Sequence, residues 1–325
     1  HLERTTGRAL RLSILFEAPT VARLAEVLRR SDPSPAGDRS SGGNPRPAEV
    51  GGGASPLVLI RRGGGRPPFY CVHGAGGNLL IFRDLAERLD AAQPVYGLEA
   101  RGVDGISAPA ETVEEMATLY LDAIRRVQPR GPYVVGGYSG GGVAALDVAG
   151  RLQAAGEVVS LVVLLDTFHP SVEARRLGLK DHLSGVTTQG LAYLPRRARA
   201  RAQRKLSALR RDLRLRYYAG RGRAIPHDLR EERLIRHFGG VARRYVPRPY
   251  EGPVTLFRAT DIARVYAHMG PRLGWDPSLL PRLSVIEIPG DHDSMFREPN
   301  IGVLAARLEG VLTTITPSNQ ERSAC

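Results

Sequence analysis

The sequence predicts an α/β protein: a mostly parallel sheet with helices on both faces and a helical insertion late in the chain. Three observations carry this. From Leu57 onward, short apolar runs bounded by Gly, Pro or charge alternate with segments that are apolar at helical spacing. One glycine-rich turn, Gly137-Tyr138-Ser139-Gly140-Gly141, joins such a run to such a segment. The alternation then lapses between residues 170 and 246, which carry amphipathic helical patterning and no strand signal.

Residues 1–30 are too few to bury a core of their own. Pro19-Thr20 opens a helix with Val21, Leu24, Ala25 and Leu28 on one face. Because the chain starts at His1 and not at Met, this stretch reads as the end of a longer helical domain. Residues 31–56 hold 16 Gly, Pro or Ser in 26 positions, the composition of a flexible linker. Strands are expected at Leu57–Ile60, Phe69–Val72, Val95–Leu98, Tyr133–Val135, Val159–Leu165, Val254–Phe257 and Val285–Ile288. A helix is expected over 79–89, from Leu79, Phe82, Leu85 and Leu89. Another begins at the capping-box string Thr112-Val113-Glu114-Glu115 and continues through Met116, Leu119, Tyr120, Ala123 and Ile124. Further helices are expected at Val143–Ala155 and Ile301–Val311. The body is thus one domain over 57–315, with residues 170–246 inserted between two strands as a lid and 316–325 a tail.

Composition removes several function classes. Two cysteines, Cys71 and Cys325, cannot form a disulfide framework and fit a reducing compartment, hence a cytoplasmic protein. They also supply no cysteine-rich zinc site. No apolar run reaches the ~20 residues that a membrane helix needs. The net charge of +13 suggests nucleic acid until it is located. Arg196–Arg223 alone carries +11, which leaves about +2 for the other 297 residues. No helix-turn-helix, zinc or aromatic stacking signature accompanies that segment, so neither nucleic acid nor membrane is an expected partner. Its arginines read as a solvated helical face or as a docking face for an acidic domain.

GxSxG is a cheap pattern in a chain with 37 glycines, so its context decides. Here it follows a strand and opens a helix, the setting in which a serine hydroxyl is held exposed at the sheet end as a nucleophile. Gly137 and Gly141 are then required because side chains there would strike neighbouring backbone, and Tyr138 fills the elbow's variable place. A nucleophilic serine needs a base. Among eight histidines, His292 is the best placed, following the strand Val285–Ile288 across Pro289-Gly290-Asp291. His73 precedes the serine in His73-Gly74-Ala75-Gly76-Gly77, a string of small residues suited to an oxyanion loop. His169, His182, His227, His237 and His268 fall in the lid or in surface loops. Spacing leaves two acids open, Asp166 after the strand Leu161–Leu165 and Asp261 after Val254–Phe257. Asp291 and Asp293 lie too close to His292 in sequence to orient its ring from behind.

Together these strings resemble the terminal thioesterase domain of nonribosomal peptide and polyketide synthases. The likeness runs from Phe69 to about Leu312 and includes Phe-Tyr-Cys-Val-His-Gly-Ala-Gly-Gly-Asn (69–78), Gln-Pro-Val-Tyr-Gly-Leu (93–98) and Ala-Arg-Gly-Val-Asp-Gly (100–105). It extends through Val-Gln-Pro-Arg-Gly-Pro-Tyr (127–133), Gly-Gly-Tyr-Ser-Gly-Gly-Gly (136–142), Leu-Leu-Asp-Thr (164–167) and Pro-Gly-Asp-His (289–292). Leu-Phe-Glu-Ala-Pro-Thr (15–20) resembles the last helices of a phosphopantetheine carrier domain, whose prosthetic serine would precede His1; Ser13 is not that serine.

The resemblance implies an α/β-hydrolase fold and selects Asp166 as the acid. It implies an acyl-Ser139 intermediate, with oxyanion donors from the backbone N–H groups of Ala75 and Gly140. No metal or organic cofactor is implied on the enzyme itself, since the acyl chain arrives on the phosphopantetheine of a carrier. The partners implied are an upstream carrier domain and synthetase modules, and the outcome is hydrolysis or macrocyclisation. In the lid, Leu191, Tyr193, Leu194, Leu206, Leu209, Leu213 and Leu215 are expected to face an acyl chain or one another. Two other readings are a stand-alone or editing thioesterase or ester hydrolase, and a non-catalytic binding protein on the same fold.

Overall fold

A computed structural model describes residues 14–18, 20–30, 55–105, 107–171, 193–221 and 225–315. Most of the expected linker and the tail, together with Ser13, His182, Leu191 and Cys325, lie outside the described residues. The chain opens with α1 (Ile14–Glu17) and α2 (Val21–Arg30), then enters β1 (Leu57–Arg61) and β2 (Phe69–Val72). There follow α3 (Ile81–Arg88), β3 (Val95–Leu98), α4 (Val113–Val127), β4 (Tyr133–Tyr138), α5 (Gly141–Ala154) and β5 (Val159–Leu165). Two long helices, α6 (Tyr193–Gly220) and α7 (His227–Arg244), occupy the insertion before β6 (Val254–Ala259), β7 (Leu283–Ile288) and α8 (Asn300–Thr314).

The seven strands order as β1-β3-β2-β4-β5-β6-β7, and every neighbouring pair is parallel except β1 with β3. The central strands are buried along their whole length because helices cover both faces, which is why they read as continuous apolar runs. On one face α3 and α8 pack through Phe82, Leu85, Leu304 and Leu308. On the other, α4 and α5 pack through Met116, Tyr120, Ile124 and Val148. The capping-box expectation holds for α4: Thr112 Oγ1 accepts from Glu115 N–H at 3.0 Å, and Glu115 reaches back to the N–H of Glu111 at 2.8 Å.

Two differences from the sequence expectation matter for the site. β4 runs on to Tyr138, three residues beyond the apolar run, and α5 begins at Gly141, so almost no loop separates strand from helix. Gly136 belongs to the strand, in register with Cys71 and Val163, and a Cβ there would sit 2.8 Å from both the Phe69 ring and the Val163 carbonyl oxygen. In the insertion, Leu206, Leu209 and Leu213 are exposed on α6 and line none of the described cavities that Ser139 borders. Among the described residues of the insertion, those of α7 join the α4/α5 core, through Leu234, Phe238, Val241 and Tyr245.

Parallel strands end together. β2, β4, β5, β6 and β7 all point their C-terminal ends at one edge, where the loops bearing His73, Ser139, Asp166, Asp261 and His292 emerge. β4 sits where the order reverses, between β2 on one side and β5 on the other, which opens a crevice there.

Candidate active site

Ser139 lies between the end of β4 and the start of α5 with φ at +55°, a left-handed conformation that non-glycine residues seldom adopt. Its N–H donates to the Leu165 carbonyl at 2.9 Å, and its own carbonyl accepts from Gly142 N–H at 3.2 Å. The turn is tight enough that a Cβ on Gly137 would strike the backbone of Gly141 and Gly142, while one on Gly141 would strike the His73 carbonyl oxygen. These close approaches hold the serine at the N-terminus of α5, where helix N–H groups and their partial positive charge favour a developing anion.

Asp166, directly after β5, is likewise strained, with φ at +45°, and is buried to 2% exposure. Oδ1 accepts from Ala259 N–H at 2.9 Å, and Oδ2 lies 2.7 Å from His292 Nδ1. A carboxylate is an acceptor, so Nδ1 carries the proton and Nε2 presents its lone pair. Ser139, Asp166 and His292 line one cavity. Asp261 lines it too, but its Oδ1 is the acceptor for Thr260 Oγ1 at 3.3 Å. Asp291 is spent on its own turn, accepting from Ser294 N–H at 2.8 Å.

Tyr138 braces the histidine loop, a role nothing in the linear pattern announces. Its ring stacks on His292 with centroids 4.7 Å apart, and its hydroxyl donates to the His292 carbonyl at 2.9 Å. Burial, together with the nearby Asp293 carboxylate, pushes the phenol well above its usual range, so it remains a donor. The same ring occupies the space a side chain at Gly74 would need, with a Cβ there falling 2.6 Å from Tyr138 Cδ1. One residue next to the serine therefore sets both the histidine ring plane and the small-residue loop.

That loop turns at Gly74, whose carbonyl accepts from Gly77 N–H at 2.9 Å, and it borders Ser139 at Ala75. His73 anchors it from beneath. His73 Nδ1 donates to the Gly74 carbonyl at 2.5 Å, so Nε2 accepts from the Tyr120 hydroxyl at 2.7 Å. Full burial lowers its pKa to about 4, which keeps the ring neutral. Of the histidines assigned to the lid, His237 donates through Nε2 to the Ala110 carbonyl at 2.7 Å, and His169 stands edge-on to Trp275. Among the described residues no group of three or more His, Cys, Asp or Glu could hold a metal ion, and no helix is long and apolar enough to cross a membrane.

The sheet order, the elbow and the loops at its edge define an α/β-hydrolase. Residues 67–219 match the family model of the thioesterase domain. Over 327 residues, the chain is 31% identical to a dimodular nonribosomal peptide synthase of Bacillus subtilis, covering 95% of this chain and 12% of that one. Among solved structures, it resembles a four-domain nonribosomal peptide synthetase bound to AMP and glycine, with a TM-score of 0.64 and 25% identity over 95% of this chain and 23% of the other. It also resembles the NocB thioesterase domain in covalent complex with a fluorophosphonate nocardicin G analogue, with a TM-score of 0.56 and 25% identity over 79% of this chain and 99% of that one. Residues 67–219 thus match the thioesterase domain, and the relatives the chain resembles are nonribosomal peptide synthetases.

Proposed function

We propose that this chain releases an acyl or peptidyl group from the phosphopantetheine thiol of a carrier domain, through an ester on Ser139. The observation that carries the proposal is Asp166 Oδ2 at 2.7 Å from His292 Nδ1, in a cavity that Ser139 shares. His292 Nε2 takes the Ser139 proton as Oγ bonds to the thioester carbon. The carbonyl π pair moves onto oxygen, facing the N–H groups of Ala75 and Gly140. As the carbonyl re-forms, the carbon–sulfur bond breaks and the thiolate sulfur takes the proton from the imidazolium. Asp166 holds the tautomer and stabilises the imidazolium throughout.

In the second half His292 deprotonates an attacking water, amine or hydroxyl, and the Ser139 ester bond breaks. Water gives hydrolysis; an internal nucleophile of the chain gives macrocyclisation. The enzyme itself needs no metal or organic cofactor for either.

Residues 1–30 are read as the end of that carrier domain, 31–56 as the tether and 57–315 as the catalytic body, with the upstream modules as partners and the cytoplasm as the compartment. Support comes from the multidomain relatives, whose similarity covers 95% of the chain and so includes the segment before the tether. The test combines a fluorophosphonate probe with acyl-pantetheine thioesters. Labelling at Ser139 together with thioester turnover is expected. Absence of both would leave a non-catalytic binding protein on this fold.

A further inference from the structure

Among the described residues, Ser139 lines three openings, and one of them lacks His292. That one is a cavity of about 180 Å³ between α4, the start of α5 and α7, walled by Val113, Met116, Val143, Phe238, Val241 and Ala242. Phe168 stands between it and the opening that holds His292, lining both. The four substituents of a tetrahedral carbon on Ser139 then divide between the side that His292 lines and the side that it does not. One bond goes to Oγ, and the oxyanion points at Ala75 and Gly140, which also line this cavity. The departing sulfur must lie near His292, which protonates it, and by microscopic reversibility the incoming nucleophile shares that side. The acyl substituent takes what remains, the cavity under α7.

Resting on the release reading above, we infer that the residue or acyl unit next to the scissile carbonyl is uncharged, apolar and about the size of one aromatic ring. The volume sets the size, since a cavity of about 150 Å³ with apolar walls holds one benzene. The walls set the polarity: among the described residues lining the cavity none is Lys, Arg, Asp or Glu. Its two histidines offer no charge, because burial holds His73 neutral and lowers the pKa of His169 as well. A charged side chain would meet no opposite charge there, at a cost far above that of a missing methylene.

The test measures kcat/KM for pantetheine thioesters of N-acetyl-alanine, -leucine, -phenylalanine, -lysine and -glutamate. Leucyl and phenylalanyl donors should exceed lysyl and glutamyl donors by at least about 100-fold. Ala242→Leu puts bulk into the cavity and should lower the phenylalanyl-to-alanyl ratio at least about tenfold. Met116→Ala enlarges the cavity and should move that ratio the other way, a shift that loss of folding cannot produce. Equal rates on charged and apolar donors, or a ratio that neither variant moves, would overturn the assignment while the release reading stands. Failure to cleave any donor would overturn the release reading and this inference with it.

Discussion

The sheet edge and helix α6 differ in almost every physical respect, although each stands out in the sequence. At the edge, strained residues are fixed by close backbone approach and buried hydrogen bonds: Ser139 and Asp166 at positive φ, Asp166 at 2% exposure, Tyr138 against His292. Along α6, Leu206, Leu209, Leu213 and Tyr217 are exposed, beside exposed Arg199, Arg210 and Arg216. Helix α7 lies between these extremes. It is part of the insertion, yet it is fastened to the body by Arg230 to the Val103 and Asp104 carbonyls, Asn78 to Glu231, Arg244 to the Glu111 carbonyl and Tyr245 to Asp147. The insertion is thus two things: a wall of the site and a charged outer helix. Charge density marks the helix that lines none of the described cavities at Ser139.

If the edge carries the reaction, Ser139→Ala and His292→Ala should each lower kcat by up to about 10⁶ when chemistry limits the rate. A Ser139→Ala variant with wild-type thioester cleavage would break the contrast outright. Next in size, Asp166→Asn should cost about 10⁴, because the amide cannot enforce the tautomer that frees Nε2. Asp261→Asn, which loses a bond to Thr260 and not to the imidazole, should cost less than about tenfold in the same assay. The reverse ranking in kcat would move the acid to β6.

A smaller effect falls on stability. His73 in the folded chain accepts a proton only near pH 4, against 6.5 for the free side chain. The unfolded chain therefore binds the extra proton between those values. Stability is full above about pH 6.5 and declines as pH drops toward 4, on the order of 3 kcal/mol from this one group. Thermal melts across that range should show a shallower pH dependence for His73→Asn than for the wild type. Equal slopes would mean that the loop is not held this way.

The smallest effect belongs to α6. Replacing Arg199, Arg210 and Arg216 with Gln should change stability by no more than about 0.5 kcal/mol, as exposed positions do. Turnover of a free pantetheine thioester should stay within about twofold. Loss confined to a carrier-borne donor supplied in trans, and reproduced by raising salt, would make α6 a docking face. Equal losses on both donors would erase the difference between α6 and α7.

Much of the fold was legible because strands buried on both faces must be apolar throughout: β2, β3 and β5 lie where Phe69–Val72, Val95–Leu98 and Val159–Leu165 placed them. Boundaries made by glycine were less legible. Gly136 and Gly137 look like turn residues, yet they extend β4, because their lack of a side chain serves Phe69, Val163 and α5 and not a bend. The insertion's apolar side was misread at Leu206, Leu209 and Leu213, since helical spacing identifies a stripe but not what covers it.

By itself the sequence determined what local chemistry and periodicity can encode: the alternation of elements, the elbow's glycines and the small-residue loop after β2. Spacing alone left both Asp166 and Asp261 open, because both follow strands that end at the same edge. The family resemblance favoured Asp166, and the tertiary structure shows what joins it to the histidine, one 2.7 Å contact between residues 126 positions apart. It likewise decided that Tyr138 braces His292 and that α7 walls a cavity beside Ser139. Such pairings depend on which strand ends become neighbours and which helix faces are covered, and those are properties of packing that no window along the chain contains.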